Sequence, residues 1–246
     1  MICRLLLSTY LIYEEPAMQA IEHLKPHSVD CLFTSPNPPR SDAEVSSLVE
    51  FFKKFQTYIK DTGVAFVELG DYHNKRGELG GIPHYFFMAM KAEGWTMRST
   101  LIWYRKGDKS KMEDTMRFRR DCEFIFMFAP DKNHFFNDRL GMQETSLISV
   151  PPEQVRKTEF KSGFPEEVVR YCIIPTTKPQ DIILDPFAGT STTGVVALKN
   201  GRHYIGFEIK KGYKELAEKR LSRFGIKELE DEDEEIVTQT IECGRD

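Results

Sequence analysis

The segment 182–194 places the strongest constraint on what this 246-residue chain can fold into. An apolar run ends at Asp185 and a proline, and a turn of small residues then leads into a helix predicted over 192–200. Such a turn allows backbone N–H groups and a helix N-terminus to approach a ligand closely. The segment therefore predicts a buried strand, a ligand-binding turn and a helix in immediate succession.

The spacing within this turn excludes two common nucleotide-binding motifs. A phosphate-binding P-loop requires Lys and then Ser or Thr after its last glycine, whereas Val195 and Val196 follow Gly194. A dinucleotide fingerprint requires G-x-G-x-x-G, and Ser191 occupies the place of its second glycine. The turn must therefore serve another kind of ligand.

Apolar β-rich runs alternate with helical patterns along most of the chain, which is typical of a parallel sheet covered on both faces. A strand predicted over 204–209 includes Glu208, and an acid at the end of such a strand accepts hydrogen bonds from ribose hydroxyls. Further strands are predicted within 1–13 and over 29–34, 63–69, 96–104 and 123–128, and helices over 44–60, 83–93, 165–174 and 210–224.

Charge is distributed unevenly along the chain, whose net charge is −4. The stretch 228–235 is almost wholly acidic, which favours a solvated tail, whereas 98–120 is basic. A basic stretch is either a phosphate-binding surface or an ordinary solvated surface, and charge alone leaves both interpretations open.

Cysteine spacing and hydropathy exclude several other classes of protein. The five cysteines are scattered without a C-x-x-C pair, which favours a reduced, cytoplasmic protein with no disulfide framework and no metal site. No apolar run approaches the length of a membrane span, so no membrane association is expected.

Two motifs carry a family resemblance. The stretch from Asp185 resembles the Asp-Pro-Phe-Ala-Gly-x-Gly-Thr-Thr loop of S-adenosylmethionine-dependent amino-methyltransferases, and 28–40 resembles the Ser-Val-Asp strand and Thr-Ser-Pro-Pro segment of their catalytic site. Because the catalytic segment comes first, the chain resembles the circularly permuted β type that methylates N4 of cytosine or N6 of adenine. The resemblance covers about residues 10–224.

This resemblance implies an α/β fold, with a Rossmann-like, doubly wound and mostly parallel seven-stranded sheet that ends in an antiparallel edge hairpin. It implies a single methyltransferase domain over 1–226, followed by the acidic tail 227–246. S-adenosylmethionine would be the cofactor. The residues expected to bind it are Thr34, Phe164, Asp185, Pro186, Phe187, Ala188, Gly189, Thr190, Ser191 and Glu208.

The chemistry of amine methylation explains the catalytic segment. The lone pair of an exocyclic amine is delocalised into the base, so acceptors for its two N–H groups are needed to make the nitrogen nucleophilic and to hold it in line with the methyl group. The Ser35 hydroxyl and the Pro36 carbonyl are the predicted acceptors, and Asn37 is the rival to Ser35. Cytosine C5 methylation needs a cysteine nucleophile, usually in a Pro-Cys pair, which this chain lacks.

The chain departs from the family pattern at three places. The aromatic residue expected after Pro-Pro is replaced by Pro38 or Arg40, depending on the alignment. The Gly-Asp expected near the start is replaced within 13–16, and Ser191 replaces a glycine, which is tolerable if its φ is negative. The first departure leaves the target base open and motivates an alternative, a catalytically silent RNA-binding subunit. The retained Ser35 and Glu208 argue against that alternative.

Substrate recognition has little chain available to it, because the predicted sheet fills most of the interval between the catalytic and cofactor segments. Only 107–120 and 132–160 remain in that interval for recognition. Reading a sequence in duplex DNA needs several side chains at base edges, whereas a folded RNA is selected largely by shape. We therefore expect N4 of cytosine in structured, ribosomal RNA, with site-specific DNA methylation as the alternative and the oligomeric state left open. The predicted phosphate contacts are Arg40, Lys106, Lys109, Lys111, Arg117, Arg119 and Arg120.

Overall fold

The computed structural model describes residues 8–73, 77–105, 118, 121–137, 139, 145–150 and 165–224. Within these residues the chain forms one eight-stranded sheet, whose strand order is β1-β8-β7-β2-β3-β5-β4-β6. The strands are β1 Tyr10–Tyr13, β2 Val29–Thr34, β3 Ile59–Leu69, β4 Thr96–Tyr104, β5 Cys122–Ala129, β6 Leu147–Ser149, β7 Ile182–Asp185 and β8 His203–Phe207.

The sheet confirms the doubly wound, mostly parallel architecture, with one difference at its edge. Of the eight described strands, seven run in the same direction and β5 is antiparallel to both of its neighbours. The predicted hairpin is β4 and β5, but β6 pairs in parallel with β4 and forms the outer edge. The prediction of seven strands missed β6 because three residues are too few to show an alternating pattern.

Helices cover both faces of the sheet. They are α1 Ala17–Ala20, α2 Asp42–Gln56, α3 Ile82–Ala92, α4 Glu166–Ile173, α5 Thr192–Lys199 and α6 Lys211–Leu221. One buried core contains residues of α4, α5 and α6, and the other contains residues of α1, α2 and α3. Strand β2 shows how the sheet serves both cores, since Cys31 and Phe33 belong to the first and Leu32 to the second. None of the described helices is long and apolar enough to span a membrane.

The predicted helix over 44–60 differs from the observed α2 at both ends. The helix begins at Asp42, because Ser41 is its N-cap and accepts a hydrogen bond from the Glu44 amide at 3.3 Å. It ends at Gln56, because Ile59 pairs with Val29 and starts β3. An apolar side chain at helical spacing can serve a strand equally well, so sequence periodicity alone could not place this boundary.

The sheet order places the two motifs at one point. Strands β7 and β8 extend from the centre in one direction, and β2 and β3 extend in the other, so the order reverses between β7 and β2. Ligands of open α/β sheets bind beyond the carboxyl ends of the strands at such a reversal. Thr34 and Asp185, the last residues of β2 and β7, lie at this point.

Helix α5 packs unusually closely against β8. A Cβ atom added at Gly194 would lie 2.6 Å from ring carbons of Tyr204, whereas one added at Gly212 would meet nothing within 4 Å. We expect Gly194→Ala to lower the free energy of unfolding by about 1–2 kcal/mol, because overpacking outweighs the higher helix propensity of alanine. Gly212→Ala is the control and should unfold at the same or a higher urea concentration than the parent. Equal stability of the two variants would contradict the prediction.

Candidate functional site

A hydrogen bond between side chains joins the catalytic and cofactor strands at the reversal of strand order. Thr34 Oγ1 donates to Asp185 Oδ1 at 2.7 Å, and Thr193 Oγ1 donates to Asp185 Oδ2 at 2.8 Å. The amide of Phe187 also donates to Oδ1, at 3.1 Å. Both oxygens of Asp185 therefore hold the end of β2, the start of α5 and the intervening turn in fixed relative positions.

The Asp185 carboxyl is buried, and this changes its acidity. Burial raises the pKa of Asp185 to about 6, the donors from Thr34, Thr193 and Phe187 lower it, and the nearby Glu208 raises it. The ionised form is therefore stabilised by three donors, one each from β2, the turn and α5. This side chain organises the predicted cofactor turn from within.

The cofactor turn contains two residues in the left-handed region of backbone conformation. Gly189 has φ +54°, and Ser191, the N-cap of α5, has φ +55° and ψ +48°. The sequence indicated that serine could replace glycine at position 191 if its φ were negative. The observed φ is positive, so this condition is not met. Ser191 is completely buried, and its Oγ accepts a hydrogen bond from Tyr204 Oη at 3.1 Å. The surrounding contacts therefore hold a conformation that serine rarely adopts.

Glu208 follows β8 and lies against the same turn. Its Oε2 accepts the Gly189 amide at 2.9 Å, and its Oε1 accepts the Lys210 amide at 2.8 Å. A carboxylate has about four lone-pair positions, so two backbone donors leave capacity for two ribose hydroxyls. Glu208 thus lies directly after β8, and its binding of ribose hydroxyls stays a prediction.

The exposed side of the turn has room for a ligand. A Cβ atom added at Gly189 would meet nothing within 4 Å, although Pro186 and Ala188, which precede it in the turn, are buried. Phe187 is exposed, with its ring centroid 5.0 Å from that of Phe51 on α2. An open turn between an aromatic side chain and a carboxylate fits an adenosyl cofactor with a ribose diol.

Arg220 on α6 contacts this turn and was not identified from the sequence. Its Nη1 donates to the Thr190 carbonyl at 2.5 Å, to Thr190 Oγ1 at 2.8 Å and to Thr192 Oγ1 at 3.3 Å. Helix α6 is rich in lysine and glutamate, and nothing in that pattern distinguishes Arg220 from the neighbouring surface residues. Only the tertiary structure reveals this contact.

The catalytic segment contacts a second residue that sequence reasoning missed, Glu68 of β3. Ser35 Oγ donates to Glu68 Oε2 at 2.7 Å, and Glu68 is buried on β3. Because the one hydroxyl proton is directed to Glu68, the lone pairs of Ser35 are available as acceptors. The signal was a single acid within the apolar run 64–69.

The other residues of the catalytic segment differ in exposure. Pro36 is buried, whereas Asn37 and Arg40 are exposed. The segment is held again at its far end, where Tyr72 Oη donates to the Arg40 carbonyl and Glu44 accepts the Arg40 amide at 2.8 Å. The segment is therefore fixed at both ends. Glu68 of β3 holds Ser35, and Tyr72 and Glu44 hold the backbone of Arg40.

A further acid lies on the same sheet face as Glu68. Glu68 pairs with Ile125, and Glu123 lies two residues away from Ile125 on β5, so both carboxylates share one face. Glu123 Oε1 lies 3.2 Å from Arg105 Nη2, and its Oε2 would be 2.9 Å from a Cβ atom at Gly70. The absence of a side chain at position 70 therefore allows Glu123 to approach the end of β3.

Two other sequence expectations concern the margins of the site. Tyr13, where the family Gly-Asp is replaced, ends β1, and its carbonyl accepts the Glu208 amide at 3.0 Å. The remaining predicted site residues lie outside the described residues, so their positions stay predictions; they are Lys106, Lys109, Lys111, Arg117, Arg119, Arg120 and Phe164. The described part of the chain contains no cluster of three or more His, Cys, Asp or Glu that could hold a metal ion.

Comparisons with protein families and with curated proteins point to the same class of protein, the methyltransferases. A family model described as DNA methylase matches residues 40–219. The Type II methyltransferase M.Cfr9I of Citrobacter freundii is 26% identical over 264 residues, which cover 85% of this chain and 87% of that protein. The Type II methyltransferase M.HinfI of Haemophilus influenzae is 41% identical over 127 residues, which cover 50% of this chain and 32% of that protein.

Comparison with solved structures supports the fold. The PvuII DNA methyltransferase, described as cytosine-N4-specific, superposes with a TM-score of 0.76 at 18% identity and covers 95% of this chain and 91% of its own. M1.HpyAVI in complex with S-adenosylmethionine has a TM-score of 0.66 at 20% identity and covers 86% and 99%, respectively. These similarities confirm the Rossmann-like methyltransferase fold.

The raised pKa of Asp185 predicts a pH dependence of stability. A carboxyl whose folded pKa lies above its unfolded value binds more protons when folded, so its contribution to stability is present at low pH and is lost as pH rises through about 6. Asp185→Asn removes this titration. Relative to the parent, the free energy of unfolding of the variant should therefore increase by about 2–3 kcal/mol between pH 4 and pH 7.

Urea denaturation at several pH values measures this difference. Glu215→Gln, at an exposed residue of α6, controls for the loss of one surface charge and should follow the parent. A parallel pH dependence of the parent and Asp185→Asn would show that the Asp185 carboxyl does not titrate in this window.

Proposed function

Because the chain belongs to the DNA methylase family, whose model matches residues 40–219, we propose that it methylates an exocyclic amine of a base in DNA. It is an S-adenosylmethionine-dependent nucleic-acid amino-methyltransferase of the N4-cytosine or N6-adenine type. The main support for the proposal is the hydrogen bond from Thr34 to Asp185, which holds the Ser35 segment beside the cofactor turn.

DNA replaces structured RNA as the proposed substrate. The sequence argument for RNA depended on the small size of the segments left for recognition. The relatives are named Type II methyltransferases or DNA methyltransferases, and none of those reported above is named for an RNA substrate.

We propose N4 of cytosine as the first target to test, with N6 of adenine as the alternative. The cytosine-N4-specific PvuII enzyme shares this fold, which makes that amine the starting choice. An enzyme that acts on a base inside a duplex must extrude it, at a cost of a few kcal/mol. The exposed Arg40, at the end of the catalytic segment, is available to contact a phosphate beside the extruded base.

The catalytic residues act by orienting the amine. S-adenosylmethionine bound at the cofactor turn would supply the methyl group from its sulfonium sulfur, and the resulting thioether would be the leaving group. Ser35 Oγ accepts one N–H of the amine because its own proton is donated to Glu68 at 2.7 Å. The Pro36 carbonyl is the proposed acceptor for the second N–H. The Glu68 carboxylate also stabilises the positive charge that develops on the amine before a proton leaves it.

Substitution of the acceptor should separate chemistry from cofactor binding. We expect Ser35→Ala to reduce kcat by about 100-fold, since one positioned donor or acceptor contributes on the order of 3 kcal/mol in the transition state. Its affinity for S-adenosylhomocysteine should remain that of the parent. Glu68→Gln should also lower kcat, because an amide can donate to Ser35 and reverse the direction of the hydrogen bond.

Steady-state kinetics and calorimetry make these measurements. Ser46→Ala is the control, since Ser46 is an exposed helix residue whose hydroxyl donates to the Asp42 carbonyl at 3.0 Å. Full activity in Ser35→Ala together with loss in Asn37→Ala would transfer the acceptor role to Asn37.

The substrate is tested by methylating purified nucleic acids. We expect incubation with S-adenosylmethionine and unmethylated duplex DNA to yield N4-methyldeoxycytidine or N6-methyldeoxyadenosine, identified by mass spectrometry of the nucleosides. Ribosomal RNA from unmodified transcripts is the matched substrate and should remain unmethylated. Methylation of RNA alone would overturn the proposed substrate, and binding of S-adenosylhomocysteine without methylation of either would support the silent-subunit alternative.

A further inference from the structure

The contact between α6 and the cofactor turn goes beyond the residues that the proposed function assigns. Arg220 is half-buried, and its Nη1 reaches the Thr190 carbonyl at 2.5 Å and the hydroxyls of Thr190 and Thr192. The contacts span 28 to 30 residues of sequence and connect the last described α-helix to the turn. Hydrogen bonds from a guanidinium are stronger than those between neutral groups.

The residue between these threonines explains why the turn needs such a contact. Ser191 has φ +55°, a backbone conformation that residues other than glycine rarely adopt. The angle φ of a residue depends on the orientation of the peptide plane before it, which here contains the Thr190 carbonyl. By fixing that carbonyl, Arg220 restrains the backbone at the position where serine is least suited to it.

A second contact holds the Ser191 side chain. Tyr204 Oη on β8 donates to Ser191 Oγ at 3.1 Å. The Tyr204 ring fits there because residues 194 and 206 are glycines, at which an added Cβ atom would lie 2.6 Å from an atom of that tyrosine. The strained residue is therefore held through both its side chain and the preceding carbonyl.

We propose that Arg220 is a positioning residue for the cofactor, which together with Tyr204 keeps the turn in its ligand-binding conformation. This inference rests on the proposed function, because it takes the turn at 185–191 as the cofactor site. When the turn is fixed before binding, association does not have to order it, and affinity is higher for that reason. Without Arg220, rotation of that peptide plane would relieve Ser191 and break the hydrogen bond from the Ser191 amide to the Ala188 carbonyl at 2.7 Å, which closes the turn.

The test compares two substitutions that each remove one positive charge from α6. We expect Arg220→Met to weaken the affinity for S-adenosylhomocysteine by about tenfold, because three contacts to a charged donor are lost. The KM for S-adenosylmethionine should rise, while kcat at saturating cofactor and the KM for DNA stay near those of the parent. Lys219→Met, at the adjacent exposed residue, is the control and should leave all four values unchanged.

Conservative variants distinguish positioning from general stability. Arg220→Lys keeps a cation that can donate to the Thr190 carbonyl, so it should recover part of the lost affinity. In a Ser191→Gly background, Arg220→Met should cost about threefold instead of tenfold, since glycine adopts positive φ without strain. This background also provides a folded protein if Arg220→Met alone does not fold.

The outcomes separate the two levels of the proposal. A parent that does not bind S-adenosylhomocysteine would overturn the proposed function. A parent that binds, with Arg220→Met binding as tightly as Lys219→Met, would overturn only the positioning role. A fall in melting temperature without a change in cofactor affinity would likewise overturn it, as would an equal loss of affinity in the parent and in the Ser191→Gly background.

Discussion

The bond from Thr34 to Asp185 is the interaction on which the rest of the site depends. It crosses the reversal of strand order and joins Thr34, the last residue of β2, to Asp185, the last residue of β7. Methyl transfer requires donor and acceptor to be aligned within a fraction of an ångström. Because the same carboxylate also binds Thr193, the alignment is transmitted to α5 as well. The buried Asp185 thus holds β2, the cofactor turn and α5 together by hydrogen bonds.

The site concentrates negative charge where the proposed reaction carries positive charge. Asp185, Glu208 and Glu68 are all buried near the carboxyl ends of β7, β8 and β3. Burial of each carboxylate is unfavourable unless donors compensate it, and here backbone amides and hydroxyl groups supply them. A sulfonium cofactor and an amine that becomes cationic during transfer are both favoured in such a field. Burying these three carboxylates lowers the stability of the fold, and it favours the positive charge that the proposed chemistry carries.

Sequence reasoning identified the parts of the site that depend on short segments. The turn after β7, the acid Glu208 and the Ser35 segment were predicted, because each is a local pattern of strand, turn and polar residue. Glu68 was missed although it interrupts an apolar strand, and Arg220 was missed because an arginine on a charged helix is ordinary. Serine at position 191 was judged tolerable on the condition of a negative φ, whereas its φ is positive and is held by contacts from β8 and α6. What sequence could not supply was long-range contact, which the topology alone creates.

The same distinction explains why DNA replaces RNA as the proposed substrate. Counting the residues outside a predicted sheet assumes that recognition requires a separate segment, whereas the catalytic segment itself can contribute. It is held at one end by Ser35 on Glu68 and at the other by the Tyr72 hydroxyl on the Arg40 carbonyl. Fixing both ends holds the exposed Arg40 at a set distance from Ser35, so a phosphate bound there would position the base that enters the site. Recognition and chemistry then share one rigid segment, and the length of the remaining loops says little about the nucleic acid that the protein binds.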